Sequence, residues 1–195
     1  RLPSLLLLLF SLLAVPAFAQ KKKPKEPRSE PLTPAAFQQL EAIEDTLALL
    51  AYAVVNDSVE QVRFGACRTL ITTLVRALKT ENSFRYKFDR LKSVSILAPP
   101  DSSFRIFTWQ LFVNDSTYRY YGAVQMNSPR LVLYALKDRS AEASQEAVYQ
   151  QYSPDQWYGA VYYGLRPFEV KGQGMHYLLM GFNGLEFYNK RKVVD

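Results

Sequence analysis

The sequence is short of the residues on which most enzyme chemistry depends. Across 195 residues it has one cysteine, Cys67, and one histidine, His176. A single thiol excludes an intramolecular disulfide, so the core alone must hold the fold. C-x-x-C and paired Cys/His spacings are missing, and with them the usual zinc and redox frameworks. Cys67, at a helical position, is expected to be a small buried apolar residue and not a reactive thiol. His176 sits inside an apolar run and is expected to pack in a strand instead of serving as a base. No G-x-S-x-G elbow presents a nucleophilic serine. Gly172-Gln-Gly174 precedes a strand instead of opening a helix, so no phosphate loop is expected. Catalytic residues, metal ligands and cofactors are therefore all set at none.

Positive charge is scarce where it would matter. The formal net charge is +6, but Arg1 supplies one unit and residues 21–30 hold five Lys or Arg against two Glu, which leaves +2 for everything after residue 30. A folded part without a basic face is not expected to bind nucleic acid.

A long apolar run occurs once. Residues 1–19 carry Arg1, the run Leu5 to Phe10 continuing through Leu12 and Leu13, and Ala17-Phe-Ala19, a small-x-small site. This reads as a secretory signal cleaved between Ala19 and Gln20. Pro16 and the polar residues that follow leave it too short to span a membrane, so no transmembrane segment is expected in the mature chain. No Cys follows that would take a lipid anchor. The expected location is exported: periplasmic, outer-membrane-associated or secreted. Residues 20–34 are rich in Lys and Pro and read as an extended linker, either a solvated tether or a basic contact for anionic lipid or polymer.

What remains, residues 35–195, reads as one domain. Thr33 can cap and Pro34 suits a first helical position, after which Phe37, Leu40, Ile43, Leu47, Leu50 and Val54 recur at helical steps. Ser58 and Gln61 offer a capping box for a second helix with the stripe Val62, Ala66, Leu70, Leu74 and Leu78. The pattern predicts a helical hairpin over 35–80 and an antiparallel, aromatic-rich β-meander over 93–195, an α+β fold with the option of a partly closed barrel. In residues 104–112 Phe104, Ile106 and Phe112 alternate with Phe107, Trp109 and Leu111. Both faces are apolar, so the strand must be covered twice.

Two stretches echo one another: Tyr120-Tyr-Gly-Ala-Val124 and Trp157-Tyr-Gly-Ala-Val161. Each precedes a second apolar run, at 131–136 and 175–180. Period-two alternation puts Tyr120, Val124, Trp157, Val161 and Tyr163 on one face and Arg119, Tyr121, Gln125, Tyr158, Tyr162 and Arg166 on the other. The mixed aromatic and polar face suits contact with a sugar ring or a protein, with Tyr121, Tyr158, Tyr162, Trp109 and Trp157 as candidate ligand-binding residues. An envelope glycan or protein is the expected partner of a non-enzymatic binding module. One alternative is an envelope hydrolase acting on glycan or peptide through paired carboxylates drawn from Asp101, Asp115, Asp155 and Glu169. Another is a purely structural domain of a longer chain, since Lys192-Val-Val-Asp195 reads as the start of a strand that continues.

Phe104-Arg-Ile-Phe-Thr-Trp109, Tyr120-Tyr-Gly122, Gln156-Trp-Tyr-Gly-Ala160 and Tyr177-Leu-Leu-Met-Gly181 together resemble a group of uncharacterised secreted proteins of Gram-negative bacteria. The likeness runs from the helices to the end of the chain. It implies export but no reaction, substrate or cofactor. Where that group has Trp-Asp-Gly, this chain has Phe182-Asn-Gly184, which removes a carboxylate and argues against a calcium or catalytic site there.

Overall fold

The computed structural model describes residues 27–114, 117–142 and 151–184, together with the backbone of a last strand. The signal-like segment, its cleavage site at Ala19 and Gln20, and the linker lysines lie outside the described residues. Two helices lead, α1 over Pro34–Asn56 and α2 over Glu60–Leu78. Thr33 Oγ1 accepts from the Ala36 amide at 3.2 Å and Pro34 takes the first turn, as the sequence predicts.

The start of α2 departs from expectation. Val59 stands at the cap without a side-chain bond, so the Ser58/Gln61 box does not form. The turn is held instead by Asp57 Oδ1, which accepts from the Val59 amide, and by buried Arg63. One end of the Arg63 guanidinium donates to Asp57 O and Ser58 O, while Nε and the other end donate to Phe112 O and Val113 O at 2.8 and 3.2 Å. A fork of five donors can join the helical turn to a strand end, which a serine hydroxyl cannot do.

The strands form two antiparallel sheets. The first has the order β1-β2-β3-β4, with β1 at Ser95–Leu97, β2 at Phe104–Asn114, β3 at Thr117–Met126 and β4 at Leu133–Lys137. The second is β5-β6-β7, at Val161–Val170, Gly174–Gly184 and Lys190–Val194. The class is α+β, with the helical hairpin on an antiparallel sheet. The two sheets stay open and do not close into a barrel.

Strand β2 is covered twice, as its alternation requires. Phe107, Trp109 and Leu111 pack with Leu40, Leu47, Leu70 and Leu74 of the helices. Ile106 turns the other way and joins Tyr120, Trp157, Ala160 and Tyr162 in a second core, so the second cover is the other sheet. Arg105 shares the helical face and is also buried. Its donors go to Gln125 Oε1 at 2.8 Å, Ser83 O at 3.0 Å and Tyr86 O, and its guanidinium stands 4.9 Å from the Phe107 ring centre. Burial pulls it down to about 9, which leaves it protonated at neutral pH.

The echo stretches are not structural equivalents. Tyr120–Val124 runs inside β3, whereas Trp157–Ala160 precedes β5 and includes Gly159 at φ 76°. A Cβ at 159 would lie 2.4 Å from Asp138 Oδ1, the carboxylate that accepts from the Tyr120 amide and from Ser140. Only glycine satisfies both the backbone angle and that close approach. A bulge between Tyr162 and Gly164 then breaks the alternation in β5. The irregular Trp157–Ala160 stretch with Gly159 places Trp157 and Tyr162 on the same side, in the core with Tyr120, and not on opposite faces as strict alternation predicts.

The linker is also not free along its whole length. Buried Ser29 donates its amide and its hydroxyl to Asn127 Oδ1, and its carbonyl accepts from Arg85 Nε at 3.0 Å. The Glu30 amide donates to Asn82 Oδ1 at 2.9 Å.

Candidate functional site

The candidate aromatics divide into two pairs. Trp109 and Tyr121 stack with ring centres 5.7 Å apart beneath the helices. Trp157 donates Nε1 to Tyr162 OH at 2.7 Å in the core between the sheets. Tyr162 is only 2% exposed, Trp157 is buried, and Tyr121 and Tyr158 are half-buried. The expected Tyr121–Tyr158–Tyr162 face is therefore not one surface, because Tyr121 and Tyr162 lie on opposite sides of the first sheet.

Of the five candidates, Trp109 lines a described cavity. Strand β1 pairs with β2 only from Leu97↔Ile106 to Ser95↔Thr108, so β2 runs on past Trp109 to Val113 with no neighbour on that side among the described strands. Continuing the register would set Ser93 against Gln110. Instead the two line a cavity of about 290 Å³ together with Val55, Trp109, Val161, Tyr163 and Phe182. A second cavity of about 290 Å³, lined by Val55, Gln110, Phe112 and Tyr118, shares two of those residues and extends the space along β2. The cleft thus opens where β1 leaves β2, between the end of α1 and the start of β5. None of these lining residues is charged.

Tyr163 is its most exposed aromatic, at 59%. Sequence reasoning missed Tyr163, Gln110 and Phe182. Tyr163 is turned outward by the bulge, and only the shortness of β1 brings Gln110 to an open edge. Trp109 Nε1 is buried and makes no hydrogen bond of normal geometry, so its approach to Cys67 is a weak contact to sulfur. Burial pushes the Cys67 thiol up, partly offset by the neighbouring Trp109 and Tyr121 side chains. A buried thiol held protonated is a core residue, as the sequence predicts.

The carboxylates considered for hydrolysis have separate partners. Burial tends to raise Asp101, but hydrogen bonds from Tyr177 and Ser103 and the nearby Arg28 bring it below its ordinary value. Asp155 is lowered by Lys137, 2.7 Å away. A lowered carboxyl is a poor proton donor at neutral pH. Glu169 is exposed on β5, and Asp115 lies outside the described residues. Among the described residues no group of His, Cys, Asp and Glu could hold a metal ion. Asn183 is fully buried and donates Nδ2 to Gly159 O and to Tyr158 O. A carboxylate facing those two carbonyls would have no proton to give them. No described helix is long and apolar enough to cross a membrane.

Compared with protein-family models, curated proteins and solved structures, the chain matches none. Function is therefore argued from the cleft itself.

Proposed function

We propose that the protein is an exported, non-enzymatic binding module of the cell envelope whose cleft receives an extended segment of a partner polypeptide. The observation that carries this is the edge of β2 from Trp109 to Leu111, which no described strand pairs on that side, lying along an uncharged aromatic cleft. In a strand, alternate residues turn their N–H and C=O to each side, so this edge offers donors and acceptors to an added strand. Arg63 holds Phe112 O and Val113 O at the far end. The open stretch therefore suits about three to four residues of extended chain at roughly 3.3 Å each. Val55, Val161, Tyr163 and Phe182 supply apolar walls for alternate side chains of the guest. Export rests on the signal-like residues 1–19.

Trp109 is a natural reporter, and Trp157→Phe isolates its emission. A pool of short peptides with alternating apolar residues is expected to contain members that change this emission, and Tyr163→Ser is expected to weaken them about tenfold. N-methylation of alternate guest amides removes the strand hydrogen bonds without altering the protein and is expected to abolish binding. Guests indifferent to N-methylation, or oligosaccharides that bind through Tyr163 while no peptide does, would overturn the proposal.

A further inference from the structure

Along the face of β2 that meets the second core, Ile106, Thr108, Gln110 and Phe112 stand at alternate positions. Thr108 Oγ1 accepts from the Tyr162 amide at 3.0 Å. Tyr120, the cross-strand partner of Gln110, accepts through its hydroxyl from the Gly184 amide at 2.6 Å. Both polar neighbours are thus committed to holding β5 and β6. Gln110 is not: its side-chain amide makes no hydrogen bond among the described residues, although it is half-buried and lines both cavities of the cleft. Ser93, half-buried beside the first cavity, likewise makes no side-chain hydrogen bond among the described residues.

A side-chain amide brings one carbonyl acceptor and an NH2 with two donors to a cleft whose walls are largely apolar. A few polar groups among such walls are what orient a guest and select it. A guest that covers Gln110 takes its amide out of water and must return those hydrogen bonds, or leave covered polar groups unmet. An apolar side chain cannot return them. A lysine or a carboxylate would lose its own hydration with no opposite charge among the lining residues. A second amide presents the same donor and acceptor in one plane and can pair in both directions, and the Ser93 hydroxyl can give or accept one bond more.

We infer that Gln110 sets the specificity of the cleft and selects an extended segment whose inward side chain is itself an uncharged amide, asparagine or glutamine. The inference rests on the peptide-binding reading of the cleft and names the guest's chemistry within it. The edge of β2 from Trp109 to Leu111 offers its backbone groups to any sequence. Gln110 tells one sequence from another, because specificity is a difference between guests that share the same backbone bonds.

Calorimetric titration with capped peptides Val-Xaa-Val-Xaa-Val tests this, Xaa being Gln, Leu, Lys or Glu. Alternation sends every Val to one face of the guest and both Xaa side chains to the other. The parent is expected to bind the Gln peptide about tenfold or more tightly than the Leu peptide, and the Lys and Glu peptides more weakly still. Gln110→Leu is expected to reverse the order of the Gln and Leu peptides, and Gln110→Glu to favour the Lys peptide over the Gln peptide. A gain for one guest against a loss for another is a result that a misfolded variant cannot give. The inference is overturned if the parent binds the Leu peptide as tightly as the Gln peptide, or if Gln110→Leu keeps the parent's order. Should binding then still be abolished by N-methylation of the guest, the peptide-binding reading stands and this inference alone falls. If no peptide binds, the two fall together.

Discussion

Ser95 on β1 and Thr108 on β2 face each other as cross-strand partners, and their hydroxyls take both backbone polar groups of Tyr162. Thr108 Oγ1 accepts from the Tyr162 amide at 3.0 Å, and Ser95 Oγ donates to the Tyr162 carbonyl. Two side chains thus do for β5 what a neighbouring strand does elsewhere, which joins the two sheets and sets one wall of the cleft. Thr108→Val keeps the shape and removes the acceptor from a buried amide. The expected loss is about 1–3 kcal/mol in urea unfolding. Ser95→Ala is expected to cost less because its site is partly open, and the double variant should be non-additive because both act on one residue. A Thr108→Val protein as stable as the parent would refute the clasp.

Tyr86 and Glu44 predict an alkaline weakness. Burial, and then the 2.6 Å hydrogen bond to Glu44, push the Tyr86 hydroxyl up to about 12. An unfolded tyrosine titrates near 10. Between those values the folded state holds the proton and the unfolded state has lost it. The contribution is therefore complete below about pH 10 and is lost as pH rises toward about 12, with a size on the order of 2 kcal/mol. Tyr86→Phe removes the ionising group but leaves Arg90 on Glu44. Unfolding midpoints followed from neutral to alkaline pH should fall less steeply for the variant than for the parent. Parallel slopes would refute the assignment.

The Ser29 anchor predicts a protease pattern. Arg28–Ser29 is a trypsin site whose serine is buried under Asn127 and Arg85. Cleavage requires an extended, exposed backbone. Trypsin should therefore spare Arg28 in the parent. Asn127→Ala removes the acceptor of both Ser29 donors and should speed cleavage after Arg28 by about tenfold or more, read by mass spectrometry. Equal rates in the two proteins would show that the anchor does not hold in solution.

Local order was legible where a short-range rule decides it. The cap at Thr33, the two helical stripes apart from exposed Phe37 and Val62, the buried Cys67 and the doubly apolar β2 were legible in the sequence, and β2 led to Trp109 in the cleft. The expected aromatic face failed because it extended period-two alternation through Trp157–Tyr163. That stretch contains a left-handed glycine at 159 and a bulge near Tyr163. The capping box expected at Ser58 does not form for a different reason: Arg63 satisfies that turn, and half of its partners lie on β2, far away in sequence.

The sequence by itself determined the class of the fold, the order of its elements and the presence of one Cys and one His, because each depends on composition or on periodicity within one segment. Tertiary structure decided which aromatics are core and which line a cleft, where β1 stops along β2, and that Ser29 of the linker is held by Asn127 and Arg85. Those are long-range outcomes. Burial of Tyr162 requires two hydroxyls more than fifty residues away, and no local pattern records a contact whose two halves are so far apart in the chain.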